Sequence, residues 1–463
     1  MSKKKEITIP LSKIVYILVI VFVLSQMFSP NKKENESENK QGDTAAAVAV
    51  APQPQPQAQQ QQQPQPQAQK KQTSSRMSRM SFDDVAKSLE QFPPNLAQGS
   101  DTAKWQRGEI IRYFSIDTAL QRRTENMVRR ARTRYGAAVA INPYTGQILA
   151  MVSQQDPELP KIAENLALSS EFPAASIIKT ITAEAAFENI SDISAATEMN
   201  FVGRSTTLFK RQFFPEEHGD YATETSFAEA FARSNNPIFA RLAIHNIGRE
   251  KLALSAQKFG WNSKIPFELP VDVSFFPETT ADNLSDTINL AFLGSGYTNE
   301  TTLTPLLGAL IASAVVNRGS MMRPTLVDSI VDISGRKLYE AKPRRWKNSA
   351  AADIADSLKI LMQATARIGS ARNSFADMRT FVRGKEITYG GKTGTKSSQH
   401  GRNEWFIGYA HDADNNFAIA TSVCFTQHAK FILRPSQVSA DIMLDHLRRT
   451  RRQINEKRIK NEE

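Results

Sequence analysis

Cysteine is almost absent from this chain: Cys424 stands alone among 463 residues. No intrachain disulfide can form, and a metal site built on several cysteines is excluded. The six histidines are scattered, with none at the i, i+4 spacing of a helical zinc site. Neither a metal nor a cofactor is implied. Cys424 itself falls in the apolar stretch Thr421-Ser-Val-Cys-Phe425, where a thiol behaves as a small buried hydrophobe. Internal repeats are lacking too. So is a charge surplus in the body of the chain, although the net charge is +11. Residues 1–13 contribute +3, residues 70–79 contribute +4 and residues 448–463 contribute +4, so the remainder is neutral. A nucleic-acid-binding protein is therefore not indicated.

What is present begins with Lys3-Lys4-Lys5, followed by the unbroken apolar run Ile14–Leu24 and its extension through Met27 and Phe28. Small residues suited to cleavage occur only at Ala45–Ala49, about twenty residues beyond that run, so an uncleaved signal anchor is expected over 14–28. The basic segment 1–13 would stay cytoplasmic and the rest would lie outside. Residues 29–80 contain a tract, Ala51–Gln69, of almost pure Pro, Gln and Ala. Such a composition buries too little apolar surface to offset chain entropy and reads as an extended spacer. A juxtadomain segment, 81–112, carries a helical spacing in Ser81–Glu90. It fits a docked helix or a solvated one equally.

Globular texture starts near Tyr113. Thr118–Arg134 is expected to be helical, and Gly136–Ile141 with Gln147–Val152 to form a hairpin around Asn142-Pro-Tyr-Thr-Gly146. A mostly helical middle should follow from Ser176 to about Ser374, with strands returning only at Ile387–Thr395, Glu404–Ala410 and Phe417–Phe425. A last helix begins near Ser436, and its basic end, 448–463, reads as a solvated helix end, with contact to anionic lipid as the alternative. The expected class is α+β: one antiparallel sheet made by the N-terminal hairpin and the C-terminal strands, with a large helical insertion, over 113–447.

The insertion opens with Pro173-Ala-Ala-Ser176-Ile-Ile-Lys179. Ser and Lys three apart project from one helix face. The helix is apolar on several faces and so buried, which disfavours a charged Lys179 and makes it a usable base for Ser176. The pattern Ser-x-x-Lys is weak by itself, for it recurs at Ser29, Ser37, Ser255 and Ser334. Downstream stand Ser234-Asn-Asn236 before Pro237, and Lys392-Thr393-Gly394-Thr395 after Gly390-Gly391. The ordered triplet is far more specific than any member of it.

With these blocks the chain resembles the transpeptidase domain of penicillin-binding proteins. The likeness runs from Tyr113 to about Leu447 and includes Ser115–Gln121, Tyr144–Val152, Leu303-Thr-Pro-Leu306, Asn317-Arg-Gly319 and Trp405-Phe-Ile-Gly-Tyr409. It departs at Ala175, where the family often has Gly. The resemblance implies that Ser176 attacks a D-alanyl-D-alanine bond of a peptidoglycan stem peptide, with Lys179 as base. It further implies that Ser234 and Lys392 relay a proton, that Asn236 holds the substrate amide, and that Thr393, Gly394 and Thr395 bind the substrate, with backbone N–H groups of Ser176 and Thr395 for the oxyanion. Implied partners are stem peptides, β-lactams as covalent inhibitors, the bacterial inner membrane and a separate glycan polymerase, since the stretch before Tyr113 has no room for a glycosyltransferase domain. A carboxypeptidase or a β-lactamase would share the acylation step. A scaffold that regulates a polymerase is the non-catalytic alternative.

Overall fold

The computed structural model of the chain describes residues 79–89, 103–213, 222–277, 284–428 and 430–462. The expected cytoplasmic segment, the anchor and nearly all of the spacer lie outside these. Among the described residues no helix is long and apolar enough to cross a membrane.

A five-stranded antiparallel sheet runs, edge to edge, Ile387–Ser398, Gly401–Asp412, Phe417–Gln427, Tyr135–Ile141 and Ile148–Gln155. The hairpin near residue 140 therefore joins the C-terminal strands, through pairs such as Ala137↔Cys424 and Val139↔Ser422. Alternation sorts side chains to two cores. Ala137, Val139, Trp405, Ile407 and Tyr409 enter one, together with Ile177, Ile178 and Ile181 of the serine-bearing segment. Ala138, Ala140, Phe406, Ala410 and Val423 enter the other, with Val438, Ile442 and Leu447 of the last helix. Both faces are covered, which is why Tyr135–Ile141 is buried at every position.

The helix Pro305–Val316 is buried at all twelve of its residues, and Thr304 caps it by accepting from the Leu307 N–H at 3.1 Å. Thr118–Ala131 is capped by Asp117 and ends three residues short of the expectation, because Arg132 turns left-handed at φ 49°. Helix Phe82–Ser88 does dock: Ser81 and Asp84 form a capping box, while Val85 and Leu89 are buried in the core.

The expectation that strands return only after Ile387 needs correction. A second antiparallel sheet links Lys104–Arg107, Ile110–Phe114, Val327–Asp332 and Lys337–Glu340, and strand pairs also form at 198–201 with 223–226 and at 320–322 with 345–348. These strands are three to six residues long, too short for a period-two pattern to stand out. The last helix, Pro435–Glu462, continues unbroken past Leu447. Its Arg449 bonds Asp117 at 2.9 Å and its Arg451 bonds Asp412 at 2.6 Å.

Candidate active site

Ser176 does not sit in a regular α-helix. A 3-10 turn, Ala175–Ile178, precedes the α-helix Lys179–Asn189, and Ala175 adopts φ 51°. The turn is gripped from outside. The Trp405 indole N–H donates to the Pro173 carbonyl at 2.9 Å, and the Ala174 N–H to the Thr301 carbonyl at 2.8 Å. Ser176 is thereby presented at a fixed point next to the sheet.

Lys179 is fully buried, and its Nζ meets Ser176 Oγ at 2.9 Å, Asn236 Oδ1 at 2.7 Å and the Ser295 carbonyl at 2.5 Å. Two of those partners can only accept. A neutral amine has two hydrogens and one lone pair, so its hydrogens go to Asn236 and Ser295 and its lone pair faces the Ser176 hydroxyl. The Asn236 amide cannot flip freely, because its Nδ2 donates to the Thr206 carbonyl at 2.9 Å. Burial first, and the Lys392 charge second, push Lys179 well below the ordinary lysine value. Among the described residues neither lysine bonds a carboxylate, so the neutral state has no ion pair to oppose it.

Ser234 stands in a left-handed bend, φ 60°, between helices Phe227–Ala232 and Asn236–Arg241. Asn235 caps the second helix, accepting from the Ile238 N–H at 3.0 Å. The bend aims Ser234 Oγ at Lys392 Nζ, 3.0 Å away, while Lys392 also donates to the Thr393 carbonyl at 2.9 Å. Complete burial brings Lys392 down to about 7. Thr393, Gly394 and Thr395 continue along the sheet's outer strand, opposite Phe406, Trp405 and Glu404. An edge strand leaves one row of backbone groups unpaired, and a peptide can add to it. At Gly394 a side chain would touch Ala174, Ala175 and Ile177 at 3.3 Å, so this strand lies against the serine turn. The eight expected site residues thus come together around one turn, one bend and one strand. Among the described residues no three His, Cys, Asp or Glu side chains gather as a metal site would require.

Sequence reasoning missed several contributors. Ser295 acts through its carbonyl, and Thr206 likewise, as any residue type could. Ser370 Oγ lies 2.5 Å from Thr393 Oγ1. Gly296, at φ 68°, faces the serine turn so closely that a Cβ there would sit 2.1 Å from the Ala175 oxygen. The pair Gly294-Ser-Gly296 was the available signal, since glycines so spaced at the end of an apolar helix mark a close backbone approach.

A serine on a buried amine, a second serine on a second lysine, and a strand edge beside both form one constellation. The family profile of the penicillin binding protein transpeptidase domain matches residues 136–443. The chain belongs to the penicillin-binding protein transpeptidase family. The sheet and its helical insertion are accordingly the β-lactamase/transpeptidase-like fold. The peptidoglycan D,D-transpeptidase PbpA of Mycolicibacterium smegmatis is 28% identical over 323 residues, covering 62% of this chain and 61% of that protein. PbpA of Mycobacterium tuberculosis is 28% identical over 321 residues, with the same coverage. This family member therefore spans about three fifths of the length of those relatives. Among solved structures, the D,D-transpeptidase domain of a peptidoglycan glycosyltransferase from Eggerthella lenta superposes with a TM-score of 0.58 at 20% identity, covering 73% of this chain and 83% of that one. The penicillin G acyl-enzyme complex of penicillin-binding protein A from M. tuberculosis gives 0.54 at 24% identity, with 72% and 78% covered. At such identities the likeness is one of fold.

Proposed function

We propose that this chain is a membrane-anchored D,D-transpeptidase that crosslinks peptidoglycan stem peptides through an acyl-enzyme on Ser176. The observation that carries the reading is the position of Lys179 Nζ, 2.9 Å from Ser176 Oγ and held by two acceptors, Asn236 Oδ1 at 2.7 Å and the Ser295 carbonyl at 2.5 Å, which in the neutral amine leaves the lone pair for the Ser176 hydroxyl. Ser176 Oγ attacks the carbonyl of the terminal D-alanyl-D-alanine bond while its proton passes to Lys179. Backbone N–H groups of Ser176 and Thr395 hold the oxyanion. The C–N bond then breaks, and the departing D-alanine takes, through Ser234 with Lys392 beside it, the proton that Lys179 accepted. Thr393 and Thr395 hydroxyls suit the terminal carboxylate, Gly394 lets the peptide approach the strand, and Asn236 holds its amide. An amine of a neighbouring stem peptide attacks the ester, forms the new amide and returns the proton to Ser176.

The relatives named as D,D-transpeptidases support the reaction class. Structural neighbours solved as imipenem and penicillin G acyl-enzymes support β-lactams as covalent inhibitors. The basic start and apolar run over residues 3–28 support placement in the bacterial inner membrane, with the catalytic domain outside. Glycan polymerisation is then the task of a separate partner.

The test is intact-mass analysis of the chain incubated with a fluorescent penicillin, beside Ser176→Ala, followed by a stem-peptide assay with an added acceptor amine. Adduct on the parent alone, with amide product from the acceptor, is the expected result. Release by water alone would make it a carboxypeptidase, rapid antibiotic turnover a β-lactamase, and neither adduct nor product in folded protein a scaffold.

A further inference from the structure

Close to neutral on average apart from its basic helix end, the body distributes its charge unevenly. Residues 118–134 carry six arginines against one glutamate, residues 367–385 five cations against one aspartate, and residues 435–462 seven against four. These three segments are one surface. Leu120, Met127 and Val128 of the first, Phe375 and Met378 of the second, and Val438, Ile442 and Met443 of the third share a single core. Ser374 Oγ and Ser436 Oγ are 2.7 Å apart, and the Arg448 guanidinium lies 5.5 Å over the Phe381 ring. That core is on the sheet face away from Ile177, Ile178 and Ile181, so the basic layer lies behind the sheet as seen from the serine turn.

Internal pairing consumes few of these cations. Arg449 and Arg451 are held by Asp117, Asp445, Asp412 and Asp414, and Arg123 reaches Asp445 at 3.6 Å. Arg130, Arg132, Arg372, Arg383, Lys457 and Lys460 are exposed and make no ion pair among the described residues. At the seam of two helices lies a cavity of about 400 Å³. Arg123, Asn126, Met127 and Arg130, one stripe at i, i+3, i+4 and i+7, line one wall and Asp441 the other.

Fifteen of the eighteen cations are arginine. Its planar fork matches phosphate oxygens in pairs, which lysine cannot do. Beyond the Arg451 ion pairs, residues 453–462 continue as helix with almost every position exposed. A lightly packed end of that length, tied back through Arg458 to Asn415 at 3.4 Å, is marginal in water by itself. It also shows Ile459, 57% exposed, between Arg458 and Lys460, the mixture of an interfacial helix whose long cations reach the headgroups while an apolar side chain enters. The expected anchor over residues 14–28 and the spacer behind it keep a bilayer within reach.

We propose that this arginine-rich face docks on an anionic phospholipid surface, with the cavity between Arg123 and Arg130 taking a headgroup phosphate. The inference rests on the reading of the chain as membrane-anchored. A docked domain would lie with its sheet between the bilayer and Ser176, leaving the strand edge at Thr393–Thr395 open to stem peptides.

The experiment reconstitutes the full chain into vesicles of phosphatidylcholine alone or of phosphatidylcholine and phosphatidylglycerol in equal parts, and follows amide exchange by mass spectrometry. With the anionic lipid, exchange over 453–462 and 118–134 should slow roughly ten-fold, an effect that high salt reverses. Arg130→Glu, Arg452→Glu and Lys457→Glu combined should abolish the slowing while penicillin acylation, the check on folding, stays normal. A chain that fails to float even with neutral vesicles would refute the anchor. Flotation with equal exchange in both lipids would overturn the docking face, as would slowing that survives in the triple variant. Equal slowing by inorganic phosphate alone would reduce the face to an ion pocket and also overturn it.

Discussion

Gly296→Ala is the substitution that interrogates the site most directly. The new Cβ would lie 2.1 Å from the Ala175 oxygen, 2.6 Å from its carbonyl carbon and 3.0 Å from the Ser176 nitrogen. Ordinary carbon–oxygen contacts begin at about 3.3 Å, so the backbones must separate by roughly 1.2 Å. The atoms forced to move are those of the Ser176 turn, including the N–H to which the proposed mechanism gives the oxyanion. A misplacement of about 1 Å costs on the order of 100-fold in rate. The φ of +68° adds strain of roughly 1–2 kcal/mol for any residue with a Cβ. Acylation by a fluorescent penicillin, measured per folded molecule, should therefore fall about 100-fold, with roughly 1–3 kcal/mol lost in stability. Gly294→Ala separates the two effects. There the Cβ would meet the Ala243 Cβ at 2.3 Å, on the helical side away from Ser176, and no positive φ is involved. It should destabilise, change acylation by less than about ten-fold, and recover in combination with Ala243→Gly, as expected of a direct steric pair. If Gly296→Ala acylated at the parent rate, the argument that this close approach positions Ser176 would be wrong.

Two further outcomes follow from the buried groups and the strained turn. Lys392 titrates at about 7 in the folded protein against 10.5 ordinarily, so between those values the unfolded chain holds a proton that the folded one has released. Stability must then rise with pH from about 7 to 10.5 and lose this slope below 7; Lys179 acts in the same direction. Lys392→Met should flatten the increase in melting temperature between pH 7 and 9 and raise stability at pH 7, and an unchanged slope would refute the assignment. Ala175→Gly relieves a left-handed conformation worth roughly 1–2 kcal/mol while adding roughly 0.5–1 kcal/mol of unfolded-chain entropy. A net gain of about 0.5 kcal/mol in denaturant unfolding is expected; a loss above about 1 kcal/mol would mean that Ala175 is not strained.

The large sheet could be read from the sequence because most of its strands are long apolar runs bounded by turn residues, and three of its four pairings are hairpins. The small sheet could not. Ile110–Phe114 pairs with Val327–Asp332, more than two hundred residues away, and nothing local in either segment announces the other. At the site, the side chains that distinguish one residue type from another were all visible: Ser176, Lys179, Ser234, Asn236, Lys392 and the threonines. Apart from the Ser370 hydroxyl beside Thr393, what escaped notice works through backbone or through absence. Ser295 contributes a carbonyl, Gly296 a missing Cβ, and Ala175 a torsion angle that only the folded turn reveals. The family's frequent Gly at that position, noted as a departure, acquires its physical reason there. Arg449 and Arg451 were read as part of a solvated tail because a run of cations gives no hint of carboxylates supplied by Asp117 and Asp412 from distant strands and turns.

Three left-handed residues converge here: Ala175 at 51°, Ser234 at 60° and Gly296 at 68°. The first two are unfavourable for residues that carry a Cβ and the third is tolerated because it is glycine, and with them are buried two lysines that no carboxylate neutralises among the described residues. Such a concentration of local cost is sustained only because the surroundings over-determine it, from the wholly buried helix Pro305–Val316 on one side to the doubly covered sheet on the other. The two lysines also do more together than apart. Desolvation alone would lower Lys179, but the charge on Lys392 lowers it further, so the basicity of the group facing Ser176 depends on the protonation of the group facing Ser234. When Lys392 gives up its proton, Lys179 becomes the better base; when Lys392 is charged, Lys179 is held neutral. The strand that carries Lys392 and the turn that carries Ser176 are thus joined by a field as well as by contact. That dependence gives a physical reason why, in the proposed reaction, motifs more than two hundred residues apart must close on each other.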